Sequence, residues 1–229
     1  MLLPCDTRVN RGFLSCLAGI AEVISNFSRG RITIPRLRKS IIEHCMESPR
    51  YAIVAYIRNT LGEFVENLRS ELHPPHAHLP AHITILPPRC LRGTEQQARE
   101  QVELVCQGAN PFVIEMGEVE TFMPITPTIF IRVAHAAYRM RELHDQMNRA
   151  ALWTEENWPY MPHLTIAKLD TMEAAQQAET VARERWKTFN GTRRVCIEEL
   201  TFVREASEER WTDLAPIPLG RRFAPVGHK

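Results

Sequence analysis

The chain has 229 residues, of which 44% are hydrophobic and 24% are charged, a composition typical of globular proteins rather than disordered or fibrous ones. This length suits one domain or two closely joined lobes. The 28 basic and 27 acidic residues leave a formal net charge of +1, which excludes binding of nucleic acid through bulk positive charge, so phosphate binding requires a local site.

The first 48 residues differ from the rest of the chain. A basic segment lies between Arg29 and Lys39, and such runs are more often a solvated surface than a nucleic-acid contact. We expect 1–48 to be a loosely attached or disordered N-terminal extension. A folded domain over 49–220 and a tail over 221–229 should follow.

A regular pattern begins after this extension. The β-rich run Tyr51–Ile57 predicts a buried strand, and apolar residues at helical spacing predict a helix over Thr60–Leu72. The run His82–Leu86 predicts a second strand. Thr94, with glutamine three residues later, forms a capping box that predicts a helix from Thr94 to Gln107. A strand over Phe112–Val119 completes this first set of elements.

The same order of elements then occurs a second time. The predicted strands are Thr128–Val133, His163–Ala167, Val195–Val203 and Trp211–Leu219, and the predicted helices are Tyr138–Trp153 and Met172–Phe189. Because the order strand, helix, strand, helix, strand is repeated, we predict an α+β fold with two duplicated lobes, about 49–122 and 123–220. Antiparallel-rich sheets should flank a central cleft about a pseudo-two-fold axis.

Two short sequences share one pattern, in which histidine, an apolar residue, threonine and isoleucine follow each other. They begin at His82 and at His163, and their threonines are Thr84 and Thr165. Because successive side chains on a strand point to opposite faces, each histidine shares a face with its threonine. Two such strands side by side would bring two imidazoles and two hydroxyls into one cleft.

This set of groups suits chemistry at a phosphate ester. An unperturbed imidazole titrates near pH ~6.5, so His82 and His163 can serve as the general acid and the general base. The hydroxyls of Thr84 and Thr165 can donate hydrogen bonds to the phosphate oxygens as negative charge accumulates there. Protonated imidazole and hydroxyl groups supply the electrostatics, so we expect no cofactor and no metal.

The two motifs and the repeated strand–helix order resemble the 2H phosphoesterase superfamily, in particular its bacterial 2′-5′ RNA ligase-like proteins and RNA 2′,3′-cyclic phosphodiesterases. The resemblance covers residues 51–219. It implies a bilobal α+β fold and metal-independent chemistry on 2′,3′-cyclic phosphate or 2′-5′ phosphodiester bonds. The implied substrates are RNA ends or small cyclic nucleotides, and we expect a monomer. In the phosphodiesterase members the second histidine activates water, which would make His163 the base and His82 the acid; the sequence leaves this assignment open.

Several further residues are candidates for substrate contact. Phe122 could stack on a base, and Tyr160 could line the cleft or equally pack under the strand. Lys168, Arg132 and Arg89 could face phosphate, although each such cation is more often a solvated surface charge.

Two alternatives to this function remain. The histidine-rich stretch at His73, His76, His78 and His82 suggests a metal hydrolase, but no aspartate stands before His82 and the intervening prolines break the geometry. We interpret His73, His76 and His78 as loop residues at the mouth of the cleft. The second alternative is a catalytically weak nucleotide- or RNA-binding member of the same fold.

The cysteines and the hydropathy indicate the compartment. None of the six cysteines forms a C-x-x-C pair or a zinc-binding spacing with histidine, so we expect reduced thiols in a cytoplasmic protein. No apolar run approaches the ~20 residues of a membrane span, and we therefore expect no membrane association.

Overall fold

Eight strands and four α-helices occur in the residues that the computed structural model describes, 49–207 and 210–220. The strands are β1 Tyr51–Tyr56, β2 His82–Arg89, β3 Phe112–Thr121, β4 Thr128–His135, β5 His163–Lys168, β6 Arg194–Ile197, β7 Glu199–Ser207 and β8 Arg210–Pro218. The helices are α1 Thr60–Leu72, α2 Glu95–Gly108, α3 Ala137–Met147 and α4 Met172–Thr188. The expected extension over 1–48 and the expected tail over 221–229 lie outside the described residues.

The eight strands form one antiparallel sheet in the order β6-β3-β4-β5-β2-β1-β7-β8. The predicted α+β class with antiparallel strands is confirmed, and the two predicted sheets are joined into one through β2 and β5. Outward from this centre, β2-β1-β7-β8 mirrors β5-β4-β3-β6. The halves 49–122 and 123–220 exchange strands, because β3 pairs with β4 and β6 while β7 pairs with β1.

The predicted strand over Val195–Val203 is two strands, separated only by Glu198. β6 lies at one edge of the sheet, next to β3, whereas β7 lies in the opposite half, next to β1. One residue cannot span the width of a flat eight-stranded sheet, since neighbouring strands are ~4.8 Å apart. The sheet is therefore strongly curled, which brings its two halves together.

Helix boundaries follow the capping residues. The capping box predicted at Thr94 is present, with the Thr94 side chain accepting from the Gln97 amide and the Gln97 side chain accepting from the Thr94 amide. Asn59 caps α1 in a similar way, by accepting from two backbone amides of the first turn. α3 ends earlier than predicted, at Met147, and a short 3₁₀ turn over Ala150–Leu152 follows it.

The hydrophobic core joins all four helices to one face of the sheet. α1 packs against β5, and α3 packs against β2. Each of the two central strands is therefore supported by a helix from the other half of the sequence. Because β2 and β5 carry the two histidine motifs, these helices set the position of both.

Two further findings concern the helices and the cysteines of the described residues. None of the helices in the described ranges is long and apolar enough to cross a bilayer. Cys106 and Cys196 are free thiols.

Candidate active site

The two histidine motifs lie side by side at the centre of the sheet. β2 and β5 pair at Ile83 and Leu164, and both of these side chains are fully buried in the core. In an antiparallel pair the next residues outward also face each other. This register sets His82 opposite Thr165 and Thr84 opposite His163. We call the surface that carries these four partly exposed residues the motif face.

Each motif is followed by the same irregularity. The pairing of β2 with β1 and of β5 with β4 shifts by one residue directly after the motif, which is a β-bulge, a feature common next to active sites. In both strands two successive residues are buried at this point, Ile85 with Leu86 and Ile166 with Ala167. The bulge in β5 returns the exposed Lys168 to the motif face, close to the predicted phosphate ligand Thr165.

The two imidazoles are held by equivalent hydrogen bonds. Nδ1 of His82 lies 2.8 Å from the carbonyl oxygen of Pro80, and Nδ1 of His163 lies 2.7 Å from the carbonyl oxygen of Met161. A carbonyl oxygen only accepts, so Nδ1 carries the hydrogen in both rings. In the neutral state each Nε2 therefore has the lone pair that can accept a proton.

Burial lowers the pKa of both histidines below the ordinary value. For His82 the positive charges of Arg69 and His163 lower the pKa further, and the Pro80 carbonyl opposes this shift. For His163 the Met161 carbonyl opposes the effect of burial. The electrostatic effect of His163 on His82 shows that the two rings influence each other. Two protonated imidazoles are therefore disfavoured at this site.

Arg69 of α1 holds the end of the second motif. Its guanidinium is buried and donates from Nε to the carbonyl of Ile166 over 3.0 Å and from Nη2 to the carbonyl of Thr165 over 2.7 Å. Nη1 donates to the carbonyl of Leu79, in the segment that leads into β2. One side chain therefore links both motif strands, at a point where β2 and β5 share little backbone pairing.

Tyr160 performs the reciprocal role for the first motif. Its hydroxyl donates to the carbonyl of Thr84 over 2.9 Å, and its ring stacks on His144 with centroids 4.3 Å apart. Of the two positions considered for Tyr160, packing against the strand is the one observed. The entry to β2 has an additional anchor, because the Ala81 amide donates to the Glu66 carboxylate over 2.7 Å.

Arg89 was a candidate for phosphate contact, and the structure contradicts this prediction. Its side chain is buried and donates to the carboxylate of Glu156 over 2.7 Å and to the side chain of Asn148 over 2.8 Å. It also donates to the carbonyl of Leu152 over 2.9 Å. These bonds compensate for burying the charge, so Arg89 connects β2 to the segment after α3.

The surroundings of His163 are aromatic and charged. Phe122 meets the His163 ring edge-on with centroids 5.0 Å apart, and Phe130 lies 5.1 Å from the same ring. On β4, Arg132 pairs with His163 in the register and is exposed. Its guanidinium lies 3.5 Å from the carboxylate of Glu120. Of the predicted contacts, Phe122 and Arg132 therefore lie beside the motif.

The surroundings of His82 differ from these. On β1, Tyr56 pairs with His82 in the register, and the two rings meet edge-on with centroids 6.3 Å apart. The Tyr56 hydroxyl donates to the Asp213 carboxylate over 2.6 Å. Burial and this carboxylate raise the pKa of Tyr56, so Tyr56 stays protonated at neutral pH.

Three further histidines lie at the end of α1 and in the segment that follows it. The His73 and His76 rings are 4.2 Å apart, and Nδ1 of His78 lies 3.1 Å from the carbonyl oxygen of Pro75. In the part of the chain that the structure describes, no three side chains of His, Cys, Asp or Glu come together in a geometry that could hold a metal ion.

A protein-family model matches most of the described residues. It describes the 2′-5′ RNA ligase superfamily and matches residues 58–209, which include both motifs, α1 and Tyr160. The chain belongs to the 2′-5′ RNA ligase superfamily.

The matches to relatives of this superfamily member cover nearly the whole length of those proteins. Two of them carry the name putative phosphoesterase. One, OB1230 of Oceanobacillus iheyensis, is 24% identical over 175 residues, which is 75% of this chain and 99% of that protein. The other, Bcer98_0945 of Bacillus cytotoxicus, is 25% identical over 175 residues, which is 75% of this chain and 98% of that protein.

Solved structures share the fold of this superfamily member at low sequence identity. A phosphoesterase crystal structure has a TM-score of 0.53 and 15% identity, covering 76% of this chain and 100% of that one. E. coli LigT complexed with NADP+ has a TM-score of 0.50 and 14% identity, covering 76% of this chain and 99% of that one.

Sequence reasoning missed Arg69, Glu66 and Tyr56 in this superfamily member. A signal existed for Arg69, because it lies four residues after Val65 in the apolar stripe of α1, where a charged side chain needs buried partners. No comparable signal marks Tyr56, since a tyrosine at the end of a strand is ordinary. Its position beside His82 depends on the pairing of β1 with β2.

Proposed function

We propose that this protein is a metal-independent phosphoesterase that acts on 2′,3′-cyclic phosphate or 2′-5′ phosphodiester bonds of RNA or nucleotides. His82 and His163 are the general acid–base pair, and Thr84 and Thr165 are the phosphate ligands. The observation that supports this most strongly is the register of β2 and β5. Pairing at Ile83 and Leu164 puts each motif histidine opposite the threonine of the other motif.

The proposed reaction uses both Nε2 atoms. With His163 as the base, its Nε2 takes a proton from water while the water oxygen forms a bond to phosphorus. His82, in its protonated form, gives its Nε2 proton to the leaving ribose oxygen as the bond from phosphorus to that oxygen breaks. Water is added across one phosphoester bond, which leaves a phosphate monoester and a hydroxyl. If a ribose hydroxyl replaces water as the nucleophile, the same groups catalyse ligation.

Charge on the phosphate oxygens is stabilised by nearby donors. The hydroxyls of Thr84 and Thr165 can each donate one hydrogen bond, and such bonds strengthen as charge develops in the transition state. Lys168 and Arg132 lie on the motif face at its second half. Both are proposed to attract the substrate phosphate electrostatically.

Turnover of 2′,3′-cyclic AMP and of a 2′-5′-linked diadenylate tests this function. We expect purified protein to hydrolyse at least one of them in the presence of excess EDTA, at the rate measured without EDTA. Chromatography of the products identifies which ribose oxygen leaves. Loss of activity in EDTA would show metal dependence, and failure to convert either substrate would contradict the proposed enzyme.

The pH dependence follows from the lowered pKa of each histidine. The acid ring loses its proton, and the base ring becomes neutral, at pH values below the ordinary ~6.5 of imidazole. We therefore expect kcat/KM to follow a bell-shaped curve with its maximum below pH ~6.5. The rate should fall as pH rises through the pKa of the acid and as pH falls through the pKa of the base. Initial rates across the acid and neutral range check this, and a rate that keeps rising above about pH 8 would contradict it.

The remaining expectations concern the state of the protein in the cell. RNA ends or small cyclic nucleotides stay the proposed substrates, and a monomer stays the proposed oligomeric state, which size-exclusion chromatography with light scattering would test. A cytoplasmic location also stays a prediction. Cell fractionation would test it.

A further inference from the structure

The two halves of the motif face differ at the position beside each motif threonine. In the register, Val54 of β1 pairs with Thr84, and Phe130 of β4 pairs with Thr165. These positions are equivalent under the pseudo-two-fold relation of the sheet. A small side chain therefore stands in the first half where a large aromatic one stands in the second.

This difference leaves space beside His82. A cavity of about 150 Å³ is bordered by His82, Thr84, Val54, Val203 and Trp211. At the equivalent place in the second half, Phe122 and Phe130 pack together with centroids 4.2 Å apart. The motif face thus offers a mainly apolar cavity on the His82 side, and aromatic rings occupy the corresponding volume on the His163 side.

The cavity opens toward positively charged groups. A wider space of about 750 Å³ shares Tyr56 and Trp211 as lining residues and adds Arg58 and Arg210. The Arg58 guanidinium lies 5.0 Å from the centre of the Tyr56 ring. The Asp213 carboxylate also lines this space, and it accepts a hydrogen bond from the Tyr56 hydroxyl. An anionic ligand with a planar, mainly apolar ring fits these surroundings.

We propose that the cavity beside His82 binds the nucleobase of the substrate while the phosphate lies between the two motifs. This inference rests on the proposed function and adds a subsite to it. Tyr56 and Trp211 offer aromatic surfaces on which any base can stack, so affinity for the base does not depend strongly on its identity. Val54 and Val203 form the apolar floor, and Arg58 and Arg210 attract the anionic nucleotide at the mouth.

Binding of a product nucleotide tests the subsite without depending on turnover. Isothermal titration calorimetry compares adenosine 3′-monophosphate with inorganic phosphate for the wild type, Val54→Phe and Trp211→Leu. Val54→Phe puts into the first half the residue type found at the equivalent position of the second. Trp158→Leu is the matched control, because Trp158 is exposed and does not line the cavity.

We expect the wild type and Trp158→Leu to bind the nucleotide about 5- to 150-fold more tightly than phosphate, since stacking contributes about 1–3 kcal/mol per base. Val54→Phe and Trp211→Leu should lose most of this preference and keep their affinity for phosphate. Circular dichroism establishes that each variant is folded. If Val54→Phe does not fold, the Trp211→Leu variant on the edge strand β8 still tests the subsite.

The outcomes separate the subsite from the proposed function. Equal affinity of the wild type for nucleotide and phosphate overturns the subsite, and so does an unchanged nucleotide preference in folded Trp211→Leu. The same preparations are assayed for hydrolysis of 2′,3′-cyclic AMP. If the wild type hydrolyses this substrate but shows no preference for the nucleotide, only the subsite is overturned. If the wild type prefers the nucleotide, both cavity variants lose that preference and no hydrolysis is seen, the subsite is supported and the proposed enzyme is contradicted.

Discussion

Replacing either His82 or His163 with alanine should lower kcat for 2′,3′-cyclic AMP by about 10²–10⁴-fold, the usual contribution of a general acid or base. Each substitution removes one Nε2 and leaves the other half of the acid–base pair in place. The carbonyls of Pro80 and Met161, which accept from the two rings, lie next to the solvent-accessible motif face. Water can replace the lost donor, so we expect both variants to fold.

The two losses should not multiply. Proton removal and proton donation belong to one transition state, so the double variant should be only slightly slower than the more impaired single variant. The pH profile gives a second readout, because each single variant should lose one limb of the bell-shaped curve. The variant that lacks the alkaline limb identifies the acid, which would settle whether His82 or His163 has that role.

His135→Ala is the matched control for these substitutions. His135 lies on β4 and is exposed, away from the paired motif residues. Its replacement should leave kcat within about twofold of the wild type, as for most surface changes. If His82→Ala and His163→Ala both keep more than about a tenth of the wild-type rate, the acid–base assignment is wrong. A catalytically weak nucleotide- or RNA-binding protein would then be the better interpretation.

Arg69→Met should reduce both stability and catalysis, although Arg69 lies in the core below the site. The substitution leaves the carbonyls of Thr165, Ile166 and Leu79 without their donor. Unsatisfied buried groups cost about 1–3 kcal/mol each, so we expect the free energy of unfolding to fall by about 3 kcal/mol or more. Urea denaturation followed by circular dichroism measures this loss.

Catalysis should respond in a way that simple destabilisation does not produce. The positive charge of Arg69 contributes to lowering the pKa of His82. Removing that charge should raise the pKa of His82 and move one limb of the pH profile to higher pH. Arg69→Lys keeps the charge but cannot reach all three carbonyls, so it should lose stability while keeping the wild-type pH profile.

Two further substitutions calibrate this result. Tyr160→Phe removes one hydrogen bond to the Thr84 carbonyl without removing a charge, and should cost only about 1 kcal/mol. Arg99→Met removes an exposed arginine that pairs with Glu103 within α2, and should change stability by less than about 1 kcal/mol. An Arg69→Met variant as stable as Arg99→Met would show that the buried guanidinium does not hold the two strands.

The sequence by itself determined most of the elements and the direction of the motif side chains. Alternation along β2 and β5 is a local property, and it separates Ile83 and Leu164 in the core from the histidines and threonines on the opposite face. The capping box at Thr94 is equally local, because it joins residues three positions apart. Local geometry of this kind depends on neighbouring residues alone, so it can be predicted without knowing the fold.

Only the tertiary structure decided which strands and side chains meet. The Arg69 bond to Ile166 joins residues 97 positions apart, and the Tyr160 bond to Thr84 joins residues 76 positions apart. Whether a charge such as that of Arg89 is buried likewise depends on partners that are distant in the chain. Such contacts depend on how whole elements pack, which the spacing of residues along the sequence does not specify. The alternation in β2 and β5 therefore predicted which four side chains share the motif face, whereas the contacts that hold them in place became visible only in the folded protein.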